Sequence, residues 1–273
     1  MVFDRRGFVG GVGAVLGTVG LTGIAGAQDV RDGHTPITRS EWDRIVQGSG
    51  EPFTCVETTA MTEGPFYYET SRDRRALAEG RPGEPLRLGI TLGGILPQGG
   101  CHALSGAVID VWQTDATGLY SNVGADLQPV DTSGQTFLRG HQVTDDKGYV
   151  EFETIVPGWE IVAAAPPVGV ALRTTHIHVK AYHGREVLTA QLFFPDALID
   201  GLYADSEPYK SHALLTAPGL DRSYPRIRNG EDVFFNSSRS TPMAVERING
   251  VLTANATIGV IGADSRPFRT LFR

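Results

Sequence analysis

Arg173-Thr174-Thr175-His176-Ile177-His178-Val179-Lys180 opens the stretch that decides the fold. From Thr175 to Tyr182 the residues have strand character, His183-Gly184 marks a turn, and Val187 to Phe194 reads as the return strand. Side chains along a strand alternate between faces, so His176 and His178 share one face. That spacing lets a β protein present two imidazoles to one metal ion. The plainer alternative is two polar residues on an ordinary strand.

The same alternation recurs on either side. Leu86-Arg-Leu-Gly-Ile-Thr-Leu92 alternates, and Ala107-Val-Ile-Asp-Val-Trp112 is β-branched and apolar. Asp145-Asp-Lys-Gly148 is a turn, followed by an alternating run from Tyr149 to Val156. Strands joined by turns, without a strand–helix–strand rhythm, predict an all-β antiparallel sandwich with long loops. The tail is less periodic. Val233-Phe-Phe235 and the run from Leu252 to Val260 are expected as edge strands. Residues 28–54 are a polar lead-in with one short helix over Thr38–Val46, and residues 55–273 form the sandwich domain.

Of the 273 residues, 41% are hydrophobic, enough to build a substantial core. Asp4-Arg5-Arg6-Gly7-Phe8-Val9 is a twin-arginine motif. A weakly apolar, glycine-rich run and Ala25-Gly26-Ala27 follow it, so residues 1–27 read as an export signal directing the protein to the periplasm or the exterior. The alternative, a membrane anchor, fits poorly because the run is short and rich in glycine. The formal net charge is −7, and removing the signal, with one acid against two arginines, makes it more negative. An acidic surface argues against nucleic acid and anionic membranes as partners. No other apolar run is long enough to span a membrane. Two cysteines, Cys55 and Cys101, suit a disulfide in an oxidising compartment; two buried thiols are the alternative.

Six ordered blocks resemble the intradiol ring-cleavage dioxygenases, in particular their exported branch. They are Thr62-Glu-Gly-Pro-Phe-Tyr-Tyr68, the run from Leu104 through Trp112 to Tyr120-Ser121, the run from Phe137 through Gln142 to Gly148, Thr154-Ile-Val-Pro-Gly-Trp159, Arg173 to His178, and Gln191-Leu-Phe-Phe194. The resemblance implies a prealbumin-like β-sandwich and one Fe(III) held by two tyrosinates and two histidines. It implies insertion of both atoms of O2 into a catechol-type aromatic, between its two hydroxyls, to give a muconate-type diacid. Carried over, Tyr120 matches one tyrosinate, and His176 and His178 match the imidazoles. Arg173 matches an arginine that steadies negative charge on the ring, and Gln191 matches a glutamine of the pocket.

One ligand departs from the pattern. The resemblance places the second tyrosinate directly after Pro157-Gly158-Trp159, where this chain has Glu160. Ferric iron is a hard cation that favours anionic oxygen, which a carboxylate supplies. A carboxylate is a weaker base than a phenolate by about six pKa units in water. Glu160 is therefore a candidate fourth ligand; the alternative has it facing solvent. The run Ile161–Leu172 is expected as an apolar flap or loop beside the metal. Three readings follow: a dioxygenase with an altered ligand, a metal protein of other oxidative chemistry, or a non-catalytic module binding an aromatic or a polymer. Trp112 is expected to pack rather than to touch substrate.

Overall fold

The computed structural model describes residues 55–69, 72–163, 170–184, 186–215 and 224–261. The export signal, the lead-in and its short helix lie outside these residues. The strands in chain order are β1 (Pro85–Ile95), β2 (Cys101–Ala103), β3 (Val108–Trp112), β4 (Arg139–Val143), β5 (Tyr149–Ile155), β6 (Glu160–Ala163), β7 (Val170–Arg173), β8 (His176–His183), β9 (Glu186–Phe193), β10 (Leu214–Leu215), β11 (Tyr224–Pro225), β12 (Ala244–Ile248) and β13 (Val251–Ile261). Among the described residues the α-helices are α1 (Asp196–Asp205) and α2 (Val233–Ser238).

Two sheets share one core. The first has the order β12-β13-β1-β2, with β5 also paired to β1. The second has the order β4-β3-β8-β9, antiparallel throughout. Between them lie Leu88, Ile90 and Leu92 of β1 and Phe152 of β5, facing Ile109, Val111, Ile177, Val179 and Leu188 of the second sheet. Each such aliphatic side chain contributes roughly 1.5–3 kcal/mol when fully buried. The Cys55–Cys101 disulfide is formed and ties the first described residue to β2.

Three details differ from the sequence reading. Leu252–Val260 is not an edge: β13 lies inside the first sheet, parallel to β1 from Leu86↔Leu252 to Ile95↔Ile261. A parallel pair needs a long crossover, which nearly the whole domain supplies here. Val233-Phe-Phe235 is helix, not strand, because Asp232 caps it by accepting from the N–H groups of Phe234 and Phe235. The run Ile161–Leu172 is not loop along its whole length. Its ends pair as the hairpin β6–β7, which sets Glu160 opposite Arg173; residues 164–169 lie outside the description.

The parity of the second sheet positions the site. Ile177, Val179 and Ala181 of β8 point into the core, so His176 and His178 point out of the opposite face. Cross-strand register then lines up Arg139, Trp112, His178 and Gln191 in one row across four strands, with His176 beside Phe193 in the next.

Candidate metal centre

The outer face of the second sheet is covered where the histidines stand. Tyr120, Glu160, Arg173, His176, His178 and Gln191 are all at most 4% exposed. Phe66 stacks on Tyr120 at 4.7 Å, and Tyr67 packs on Trp112 at 4.7 Å. Trp112 lies flat on His178, with rings 4.6 Å apart and 7° from parallel. It packs, as expected, but against a site imidazole.

Tyr120 stands on a clamped loop after β3. Its N–H donates to Gln128 Oε1 at 3.0 Å, and its carbonyl accepts from Gln128 Nε2 at 3.0 Å and Thr132 Oγ1 at 2.6 Å. Arg139 donates to the Ser121 hydroxyl and carbonyl, both at 2.9 Å. Glu160 is brought to Tyr120 by a glycine contact. Gly158 donates its N–H to Asp115 O at 2.8 Å, and a β-carbon there would fall 2.7 Å from Gly118 N and 2.8 Å from Ala116 O. Only glycine fits that approach without a backbone shift.

Four donor atoms converge. His176 Nε2 lies 3.0 Å from His178 Nε2, and His178 Nε2 lies 3.1 Å from Tyr120 Oη. Glu160 Oε1 lies 3.6 Å from His176 Nε2. One ligand atom from each of Glu160, His176 and His178 falls within 4.8 Å of the others. His176 Nδ1 is 2.7 Å from the Thr174 carbonyl, which can only accept. The proton therefore sits on Nδ1, and Nε2 offers a lone pair.

Electrostatics favour the same state. Burial, reinforced by Arg173, pushes His176 down to about 3, and burial with His176 and the nearby arginines holds His178 well below its usual range. Both imidazoles are neutral, the form that binds metals. Burial pushes Glu160 up to about 7 against the pull of Arg173. Burial and the Glu160 carboxylate hold the Tyr120 phenol well above its ordinary value. Glu160 Oε2 and His178 Nδ1 are buried with no hydrogen-bond partner.

These residues fit a metal ion. Two neutral nitrogens and two ionisable oxygens face one point, and a hard cation with two anionic oxygen ligands offsets their burial cost.

Arg173 is held beside the cluster. Its Nε donates to Asp232 Oδ2 at 2.9 Å, its Nη2 donates to Gln191 Oε1, and its Nη1 lies 3.9 Å from Glu160 Oε1. Burial opposes ionisation of Asp232, but Arg173 and neighbouring N–H groups outweigh it and hold the carboxyl below its ordinary value. The structure thus gathers every residue singled out in the sequence: Tyr120, Glu160, Arg173, His176, His178 and Gln191. It adds Asp232 and Arg139, which sequence reading missed. Asp232 carried a usable signal, a helix-capping residue before an apolar run.

The β-sandwich thus carries a buried two-histidine, tyrosine and carboxylate cluster that is a candidate metal site. A family model described as Dioxygenase (Dioxygenase_C) matches residues 62–217, over half of the chain. The chain belongs to this family, the intradiol ring-cleavage dioxygenases. Chlorocatechol 1,2-dioxygenase of Pseudomonas putida is 36% identical over 100 residues, 33% of this chain and 36% of that one. Chlorocatechol 1,2-dioxygenase of Rhodococcus opacus is 29% identical over 167 residues, 56% of this chain and 58% of that one. The chain thus spans between about a third and three fifths of the length of these curated relatives.

Among solved structures, the intradiol ring-cleavage dioxygenase of Tetranychus urticae shares the fold, with a TM-score of 0.61 at 24% identity over 78% of this chain and 98% of that one. The dioxygenase domain of a dioxygenase and carbohydrate-binding protein fusion from Streptomyces sp. SirexAA-E gives a TM-score of 0.50 at 27% identity, over 76% of this chain and 100% of that one. The family match contains all six of the sequence-derived site residues and stops short of Asp232.

Proposed function

We propose that the chain is an intradiol ring-cleavage dioxygenase that holds one ferric iron between Tyr120, His176, His178 and Glu160. Its substrate class is a catechol-type aromatic, with O2 as co-substrate. The observation that carries this reading is the convergence of four buried donor atoms, with the two imidazole Nε2 atoms 3.0 Å apart. Bound there, iron would supply Lewis acidity toward the catechol oxygens and a path for the ring's electrons to O2. In the overall reaction the bond between the two hydroxyl-bearing carbons breaks, and each carbon gains one oxygen atom. No outside reductant is needed.

The side chains divide the remaining work. Arg173, with Nη1 turned to the cluster, offsets negative charge on the ring oxygens. Gln191 steadies that guanidinium through Oε1 and keeps a buried, unpaired Nε2 to donate to substrate. Glu160 is the carboxylate within the donor set and takes a hydroxyl proton as the ring binds. Trp112, Phe66 and Tyr67 wall the imidazole and phenol from water, which strengthens every charge interaction inside.

Oxygen uptake by the iron-loaded protein with catechol, 4-methylcatechol and protocatechuate tests the proposal, with products identified by mass. One O2 consumed per ring-opened diacid is expected. Full iron occupancy with no uptake on any of the three would refute it. Aromatic binding that survives unchanged in an iron-free His176→Ala variant would favour the non-catalytic module instead.

We also propose that the protein is exported folded through its twin-arginine signal. The Cys55–Cys101 disulfide supports an oxidising destination. Replacing Arg5 and Arg6 by Lys should retain the protein inside the cell; undiminished export would count against the signal.

A further inference from the structure

Asp232 is wholly buried, and its two oxygens do separate work. Oδ1 accepts from the N–H groups of Phe234 at 2.8 Å and Phe235 at 3.0 Å, which caps α2. A cap needs only one oxygen. Oδ2 accepts from Arg173 Nε at 2.9 Å and from the Thr174 N–H at 2.9 Å. The neighbouring Phe234 ring lies under the guanidinium, 4.3 Å from its carbon. Three residues earlier, Asn229 accepts from the Thr174 hydroxyl at 3.0 Å and donates to Phe194 O at 2.8 Å. Residues 229–234 therefore grip Arg173 and Thr174 together. All of them lie beyond the segment that the family model matches.

The guanidinium fork explains what this grip does. Arginine has donors at Nε, Nη1 and Nη2 in one rigid plane. Asp232 occupies Nε and Gln191 occupies Nη2, so the plane cannot turn. Nη1 is left facing the Glu160 side of the donor cluster. Without Asp232, the long arginine chain regains rotamers that it must lose again on binding an anion.

We propose that Asp232 is the positioning residue for Arg173, so that a segment outside the family core sets the affinity of the site for a catecholate anion. This rests on the dioxygenase reading above.

A double-mutant cycle tests it without turnover. 4-Nitrocatechol is titrated under argon into the iron-loaded wild type, Asp232→Ser, Arg173→Ala and the double variant, with iron content measured for each. Serine keeps the helix cap and removes the oxygen that holds Arg173. Asp232→Ser is expected to weaken binding about 10- to 100-fold at full iron occupancy. In the Arg173→Ala background the same change is expected to cost less than about twofold. Equal loss in both backgrounds, or no loss in the first, overturns the proposal. Should the serine variant fail to fold, Asp232→Asn is judged by the same criterion, since it keeps a capping oxygen and sets an N–H donor against Arg173. An iron-loaded wild type that does not bind 4-nitrocatechol sinks the dioxygenase reading itself. Binding with an additive cycle sinks only the role of Asp232.

Discussion

Around the row that holds the site, the two faces of the β4-β3-β8-β9 sheet are both buried and are made of opposite materials. The inner face carries Ile109, Val111, Ile177, Val179 and Leu188, and Gln142 opposite Ile109 is paired, donating to the Glu151 carbonyl of the facing sheet. The outer face carries Arg139, His176, His178 and Gln191 around Trp112, each at most 4% exposed. A buried apolar face needs only a partner surface. A buried polar face needs a partner for each polar atom, and Arg139 Nη1, His178 Nδ1 and Gln191 Nε2 have none. The difference teaches that burial alone does not mark the core. What separates the faces is unpaired donors and acceptors, which a packed core avoids and a binding site keeps.

The sharpest way to break this contrast is His176→Ala. It should abolish iron binding and lower ring-cleaving activity by roughly 10³-fold or more, a loss of over about 4 kcal/mol. Folding of the metal-free protein, followed by urea titration, should change by less than about 1 kcal/mol. The mirror experiment is Leu188→Ala on the inner face. That cavity should cost about 2–5 kcal/mol of stability while iron still binds one per chain. Replacing Cys55 and Cys101 by serine should cost about 2–4 kcal/mol, read in the same titrations, and leave the outer face intact. Smallest is Glu160→Gln, which keeps the shape of the side chain and removes its charge. Iron affinity, measured by competition with a chelator, should fall about 10- to 100-fold with little change in melting temperature. Stability losses as large on the outer face as on the inner would show that both faces serve the fold alone.

Much of this was legible in the sequence, for identifiable reasons. The β8–β9 hairpin and the shared face of His176 and His178 follow from period-two alternation, which is a local property. Tyr120, Arg173 and Gln191 were legible through ordered motifs, and Glu160 through the one place where a motif breaks. What was not legible depends on distant partners. β13 was read as an edge because nothing in Leu252–Val260 announces a parallel pairing with β1 about 165 residues earlier. Val233-Phe-Phe235 was read as strand because two aromatics outweighed the cap at Asp232. Asp232 itself escaped because its contact with Arg173 spans 59 residues of chain.

The most direct test of the central claim is the visible spectrum of the iron-loaded protein beside that of Glu160→Tyr, with iron quantified in both. If Tyr120, His176, His178 and Glu160 share one ferric ion, the wild type binds one iron per chain and shows a tyrosinate-to-iron absorption. The new phenol of Glu160→Tyr then deepens that absorption. A spectrum unchanged by the substitution, at equal iron content, would place residue 160 outside the coordination sphere and contradict the account.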